Sequence, residues 1–183
     1  FVDSFYKVRT TIDSETDFGL TRDLRYHSDQ NEGSFHKEAV VEFHWDLARA
    51  VRSIRGETRH ELFIWPPRAY DPLSMLFYFR TQPLVEGLAF EGPVTDGKKF
   101  VQGRALVGPV ETVRTEAGEF RAFRVEPQVS EVGGVFRKSP NAKLTIWISA
   151  DERRLPVKVQ SEVAVGHFTL ELIRIENVGP GWD

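Results

Sequence analysis

Residues 35–46 read FHKEAVVEFHWD, and their alternation decides the fold class. Phe35, Ala39, Val41, Phe43 and Trp45 fall on one face, with Lys37 the exception. His36, Glu38, Glu42, His44 and Asp46 fall on the other, with Val40 the exception. A period of two, apolar on one side and polar on the other, is the mark of a half-buried β-strand. Downstream, LARAVRSIR (47–55), a turn around Gly56 and ETRHELFIW (57–65) continue it as a meander of short strands.

Trp65-Pro66-Pro67 stops the run, because proline has no amide to give to a ladder. In the next stretch, DPLSMLFYFR (71–80), Asp71 suits a helix N-cap and Pro72 the first helical position. Leu73, Leu76, Phe77 and Arg80 then share one helical face, with Met75 and Phe79 beside it, and Pro83 ends the pattern. Strand-like runs return from GLAFEGPV onward, divided by turn signals at Asp96-Gly97, Ala117-Gly118, Gly133-Gly134 and Gly166. Residues 111–126 read as a hairpin with its turn at Glu116–Gly118, and 144–160, LTIWISADERRLPVKVQ, as another. In the latter, Asp151–Arg154 form the polar turn between strands 143–149 and 155–164, Asp151 accepts backbone amides, and Pro156 stands where a strand begins.

These elements predict a mainly β fold: a curved antiparallel sheet or half-open β-barrel of nine to ten strands, with one short helix, about 72–81, across one end. No linker divides the chain, so it reads as a single domain over 1–178 with a tail at 179–183. At 183 residues, 40% apolar and 12% aromatic, it has the material for a sizeable core. A net charge of −3, on 28% charged residues, provides no basic field to gather nucleic acid. The absence of cysteine excludes disulfides, thiol nucleophiles and Cys-based zinc sites. No apolar run approaches the roughly 18 residues of a membrane span. The start at Phe1 reads as a trimmed N-terminus, so a missing leader says nothing about export.

Several stretches together carry a resemblance: DPLSMLFYFR (71–80), KKF (98–100), ETVRTEAGEFRAFRVEP (111–127), WISADERRLPVK (147–158) and VGHFTLEL (165–172). In this order and spacing the chain resembles a bacterial family of exported envelope proteins of unknown function, known by a D-x-L-S-x-x-Y-x-x-R helix and a W-x-S-x-D-x-x-x-x-P-V hairpin. The tyrosine and arginine of the helix, Tyr78 and Arg80, sit close to the family register. The resemblance implies a periplasmic or exported location and further strands upstream of Phe1, with Phe1–Lys7 already a strand of the domain. The W…D…P-V-K hairpin is also similar to the lipoprotein carriers of the Lol system, whose half-open barrels hold acyl chains in an apolar cleft. That likeness is one of fold and implies no activity.

Candidate chemistry is sparse. His36, Glu38, Glu42 and His44 alternate along one strand, with His60 on a neighbour. Residues eight apart on a strand lie about 26 Å apart, so His36 and His44 cannot share an ion, and a solvated sheet face is the better reading. Neither Ser74 nor Ser149 lies in a G-x-S-x-G elbow, and no carboxylate pair stands out for glycoside cleavage. Arg49, Arg52, Arg55 and Arg59 gather on one hairpin, where they can keep an edge soluble or meet anionic head groups. Arg80 shares a helix face with leucines, and needs a carboxylate, a carbonyl or a ligand anion. Aromatics such as Phe63, Trp65, Phe90, Phe123, Phe136 and Phe168 can fill a core or line a cavity under the helix.

The expectation is therefore a non-enzymatic periplasmic protein that binds a lipid-like or glycan ligand or an envelope partner. Arg80 would be its polar anchor, Tyr78 its rim contact, and Phe77, Phe79 and Trp147 its lining. No catalytic residue, metal or cofactor is expected. Two alternatives stand beside it: a packed interaction protein without a ligand cavity, and a hydrolase of envelope glycans.

Overall fold

The alternating run at 35–46 is a strand, and it lies at the centre of the first sheet. The computed structural model describes residues 8–32, 35–65, 67–128, 143–163 and 166–176. Within them the order is β1 (Val8–Thr16), β2 (Asp23–Glu32), β3 (Phe35–His44), β4 (Arg49–Ile54), β5 (Glu57–Phe63), α1 (Pro72–Arg80), β6 (Ala89–Thr95), β7 (Phe100–Thr115), β8 (Gly118–Pro127), β9 (Lys143–Ser149), β10 (Pro156–Val163) and β11 (Gly166–Glu171). The fold is mainly β, antiparallel, with one short helix, as the periodicity indicates. The strands number eleven among the described residues, and they form two open sheets, β1-β2-β3-β4-β5 and β11-β10-β9-β8-β7-β6. The single sheet expected from the turn spacing is replaced by two because α1 and its flanking loops interrupt the succession after β5.

By contacts the chain divides into two compact units, Phe1–Phe79 with Gly92–Gln102, and Arg80–Glu91 with Gly103–Asp183. In the first unit, Ala39, Val41 and Phe43 of β3 are buried, as their shared face requires. Val41 and Phe43 join Tyr26, Ala50, Ile64 and Ala69 in one cluster, with Trp45 and Phe100 packed against it. The register Val41↔Arg52 places Arg52 on this same inner face. Arg52 is buried and donates its Nε–H to the Asp96 carbonyl at 3.2 Å, so it is no part of an exposed basic cluster. Arg49 and Arg59 are ion-paired with Glu61 and Glu57.

In the second unit Val113, Ala122 and Val157 are buried together, with Phe120, Trp147, Leu155 and Leu172 against them. The β7–β8 hairpin closes at Thr115↔Gly118, on the turn the sequence marks. Pro156 is the first residue of β10, where its missing amide costs nothing. The expected strand at Phe1–Lys7, the Gly133-Gly134 turn, Phe136 and the tail lie outside the described residues.

Two turn glycines separate backbone strain from crowding. Gly56 and Gly97 both hold positive φ, 78° and 79°. A Cβ on Gly97 would meet Val41 Cγ2 at 2.6 Å and Arg52 Cβ at 2.8 Å, whereas one on Gly56 meets nothing within 4 Å. Gly56→Ala is expected to cost about 1 kcal/mol from φ alone, and Gly97→Ala about 2–4 kcal/mol because the inner face must also shift. Chemical denaturation of the two variants checks this, and equal losses would refute the crowding.

Candidate functional site

The structure brings together a group of polar side chains that the sequence scatters over 61 positions, Ser14 to Ser74. Asp23 opens β2 and Asp71 precedes α1, and both are completely buried. Asp71 caps the helix: its Oδ1 accepts the amides of Leu73 at 2.7 Å and Ser74 at 2.9 Å. Its Oδ2 accepts the Ser14 hydroxyl from β1 at 2.5 Å. Asp23 Oδ2 accepts the amide of Asp71 in a short hydrogen bond, and the Ser74 hydroxyl at 2.7 Å. The second carboxyl thus holds the cap from behind. Trp45 adds its indole N–H to the Asp23 carbonyl at 2.7 Å, while the Arg22 guanidinium lies 5.5 Å from the Trp45 ring centre.

Two carboxyls in so small a buried space cannot both be charged at modest cost. The donors are unequally divided between them. Asp71 receives three, at a helix N-terminus where negative charge is favoured. Asp23 keeps one oxygen, Oδ1, without a hydrogen-bond partner. Burial first, and then the charge of Asp71, push the Asp23 carboxyl up to about 8. Burial beside a second carboxyl therefore favours the protonated form of Asp23. Tyr26, the next inward residue of β2, is pushed up to about 12, by burial first and then by Asp71.

Tyr78, Phe77 and Phe79 lie in the first unit. Tyr78 stacks on the buried Tyr70 with ring centres 4.7 Å apart and receives a short hydrogen bond from Arg68. Phe79 is buried and Phe77 partly exposed. Arg80 and Trp147 lie in the second unit. Arg80 donates Nε–H to the Arg154 carbonyl and Nη2–H to the Arg153 carbonyl, the latter at 3.0 Å. Burial works against its charge, and the peptide dipoles compensate. Trp147 donates its indole N–H to Glu111 in a short hydrogen bond, beneath the Lys158 ammonium at 6.0 Å.

The turn that Arg80 holds is built on Ser149 and Asp151. Ser149 Oγ–H donates to Asp151 Oδ1 at 2.6 Å and accepts the Leu155 amide at 2.8 Å, while Arg153 reaches Asp151 Oδ2 at 2.8 and 2.6 Å. Partial burial pushes the Asp151 carboxyl up, but the Ser149 and Arg153 hydrogen bonds outweigh it and hold it below its ordinary value. On the 35–46 strand, His36 bonds Asn31 at 2.5 Å and Glu38 bonds His27 at 3.1 Å. No group of three or more metal-ligating side chains occurs among the described residues.

The sequence reading took Asp71 as a cap and Ser74 as part of the first turn, and both are so placed. Asp23 escaped it. β1 and β2 (VRTTIDSET, DLRYHSDQNE) are polar on both faces, so no period announces them, and no local pattern ties position 23 to position 71. Asp71→Ala leaves the amides of Leu73 and Ser74 and the Ser14 hydroxyl without their acceptor. The expected loss at pH 6 is about 2–3 kcal/mol, above an ordinary exposed cap. Urea unfolding measures it, and a loss below about 0.5 kcal/mol would contradict this geometry.

Among the described residues no helix is long and apolar enough to cross a membrane. No curated protein and no solved structure matches the chain. A family model does, over residues 1–173, which span α1, its carboxyl support and the 144–160 hairpin. The chain belongs to the family described as protein of unknown function (DUF3108).

Proposed function

We propose that this is a non-enzymatic binding protein of the bacterial cell envelope, working in the periplasm, that takes an envelope partner protein along the outer edge of its six-stranded sheet. The observation that carries the reading is β11. Among the described residues it is the outermost strand of that sheet, and Phe168 and Leu170, on one face of it, are 53% and 69% exposed. Ile173 and Ile175, beyond the strand, are 68% and 37% exposed. An apolar edge strand left open is a template for pairing and a hazard in the free protein. A partner strand added there gains ladder hydrogen bonds together with apolar contacts.

The sealed carboxyl pair supports the non-enzymatic side of this reading. Both acids have no exposed surface and every donor around them is engaged in holding a helix, so a substrate has no route to them. A second reading, an acyl chain lying on the same edge, is favoured by its aliphatic character and by the resemblance to lipoprotein carriers. A glycan is less suited, since one ring among four apolar side chains makes no stacking platform.

Native mass spectrometry of the chain purified without refolding from a bacterial periplasm, beside Phe168→Asp/Leu170→Asp, tests the reading. A stoichiometric polypeptide is expected on the wild type and absent from the double variant, with thermal midpoints agreeing within about 3 °C, as surface changes allow. A lipid mass in its place moves the conclusion to the acyl reading. Wild type clean of either, or equal occupancy in the double variant, would overturn this use of the edge.

A further inference from the structure

We propose that Asp23 and Asp71 share one proton between two buried carboxyls, and that this proton latches the start of α1. The geometry assigns the parts. Asp71 caps the helix through the Leu73 and Ser74 amides, and its carbonyl accepts the Met75 amide at 2.9 Å. Asp23 Oδ2 holds Asp71 and Ser74 in place from β2. While Asp23 is neutral, the pair is one charge with ample donors. When Asp23 loses its proton, two anions face each other in the same enclosure, and Asp23 Oδ1 has no donor to receive the new charge.

The groups around the pair offer no relief. From β1 comes the Ser14 hydroxyl, and from α1 the Ser74 hydroxyl. From β2 comes Tyr26, on which Asp71, Asp96 and Arg52 act, and from the loop before α1 comes Tyr70, on which Arg68, Tyr78, Asp23 and Asp17 act. Both tyrosines are pushed up to about 12, by burial first, and remain neutral through the range that matters. Arg52 is turned to the Asp96 carbonyl. The largest influences on Asp23 itself are burial, Asp71 and Ser74.

An acid whose pKa is higher folded than unfolded makes the native state the proton-rich one. Its stabilising effect is complete below the ordinary carboxylate value near 4 and is lost as pH rises towards about 8. Alkaline conditions therefore loosen α1, the element that carries the buried Phe79 and the half-exposed Phe77. This device stands independently of the partner bound at β11.

Urea unfolding of the whole chain from pH 5 to pH 9 reads the latch. The wild-type unfolding constant is expected to rise with pH by up to about tenfold per unit, the limit for one proton. Asp23→Asn, neutral and of the same shape, is expected to flatten that rise and to be the more stable protein at pH 9. Amide exchange at Leu73, Ser74 and Met75, corrected for intrinsic base catalysis, is expected to accelerate about tenfold from pH 6 to pH 9 in the wild type and to stay level in Asp23→Asn. Should Asp23→Asn not fold, Asp71→Asn keeps a capping oxygen and removes the neighbouring charge, so the rise moves to lower pH. Wild-type stability that is flat over the range overturns the proposal. So does an undiminished rise in Asp23→Asn, an unmoved rise in Asp71→Asn, or a rise without faster exchange at the three α1 amides.

Discussion

Two buried carboxyls with one proton between them hold the first unit of this protein together. Charge taken out of water costs several kcal/mol unless donors replace the water, and here the donors come from different parts of the chain. Ser14 belongs to β1, Ser74 to α1, and the amide that Asp23 accepts belongs to Asp71 itself. Trp45, just past β3, fixes the Asp23 backbone. Removing any one of these leaves a polar group stranded inside the protein, which costs more than the hydrogen bond contributes. The start of the helix and the first three strands are thereby bound into one arrangement.

The second unit solves a similar problem with other chemistry. The Asp151–Arg154 turn has its carboxylate at the surface, where Ser149 and Arg153 bond it, and two of its peptide carbonyls taken by Arg80. The polar turn read in WISADERR is one whose side chains satisfy one another. Arg80 donates to the Arg154 and Arg153 carbonyls, which meet part of what a guanidinium on an apolar helix face requires. The exposed Phe168 and Leu170 of β11 belong to neither of these polar constellations.

Much of the fold is legible in the text of the chain. The alternation at 35–46, the Asp-Pro start of α1, the 111–126 hairpin and the strand at Pro156 fall where local rules place them, because each depends on neighbours in sequence. β1 and β2 are illegible by the same logic: with polar residues on both faces they have no period to read. Arg52 looks in sequence like its neighbours Arg49 and Arg55. Only the register opposite Val41 and the close approach of Gly97 turn it inward.

By itself the sequence determined the mainly β class, the single helix with its cap, the turns, and membership of the family over residues 1–173. These follow from short-range periodicity, backbone sterics and the aggregate of motifs along the chain. Tertiary structure alone decided that the strands divide into two sheets, that Asp23 lies behind Asp71, and that Phe168 and Leu170 face solvent at an edge. Burial and proton affinity are properties of what surrounds a group. For a carboxyl whose partner stands 48 positions away, those surroundings exist only once the chain has folded.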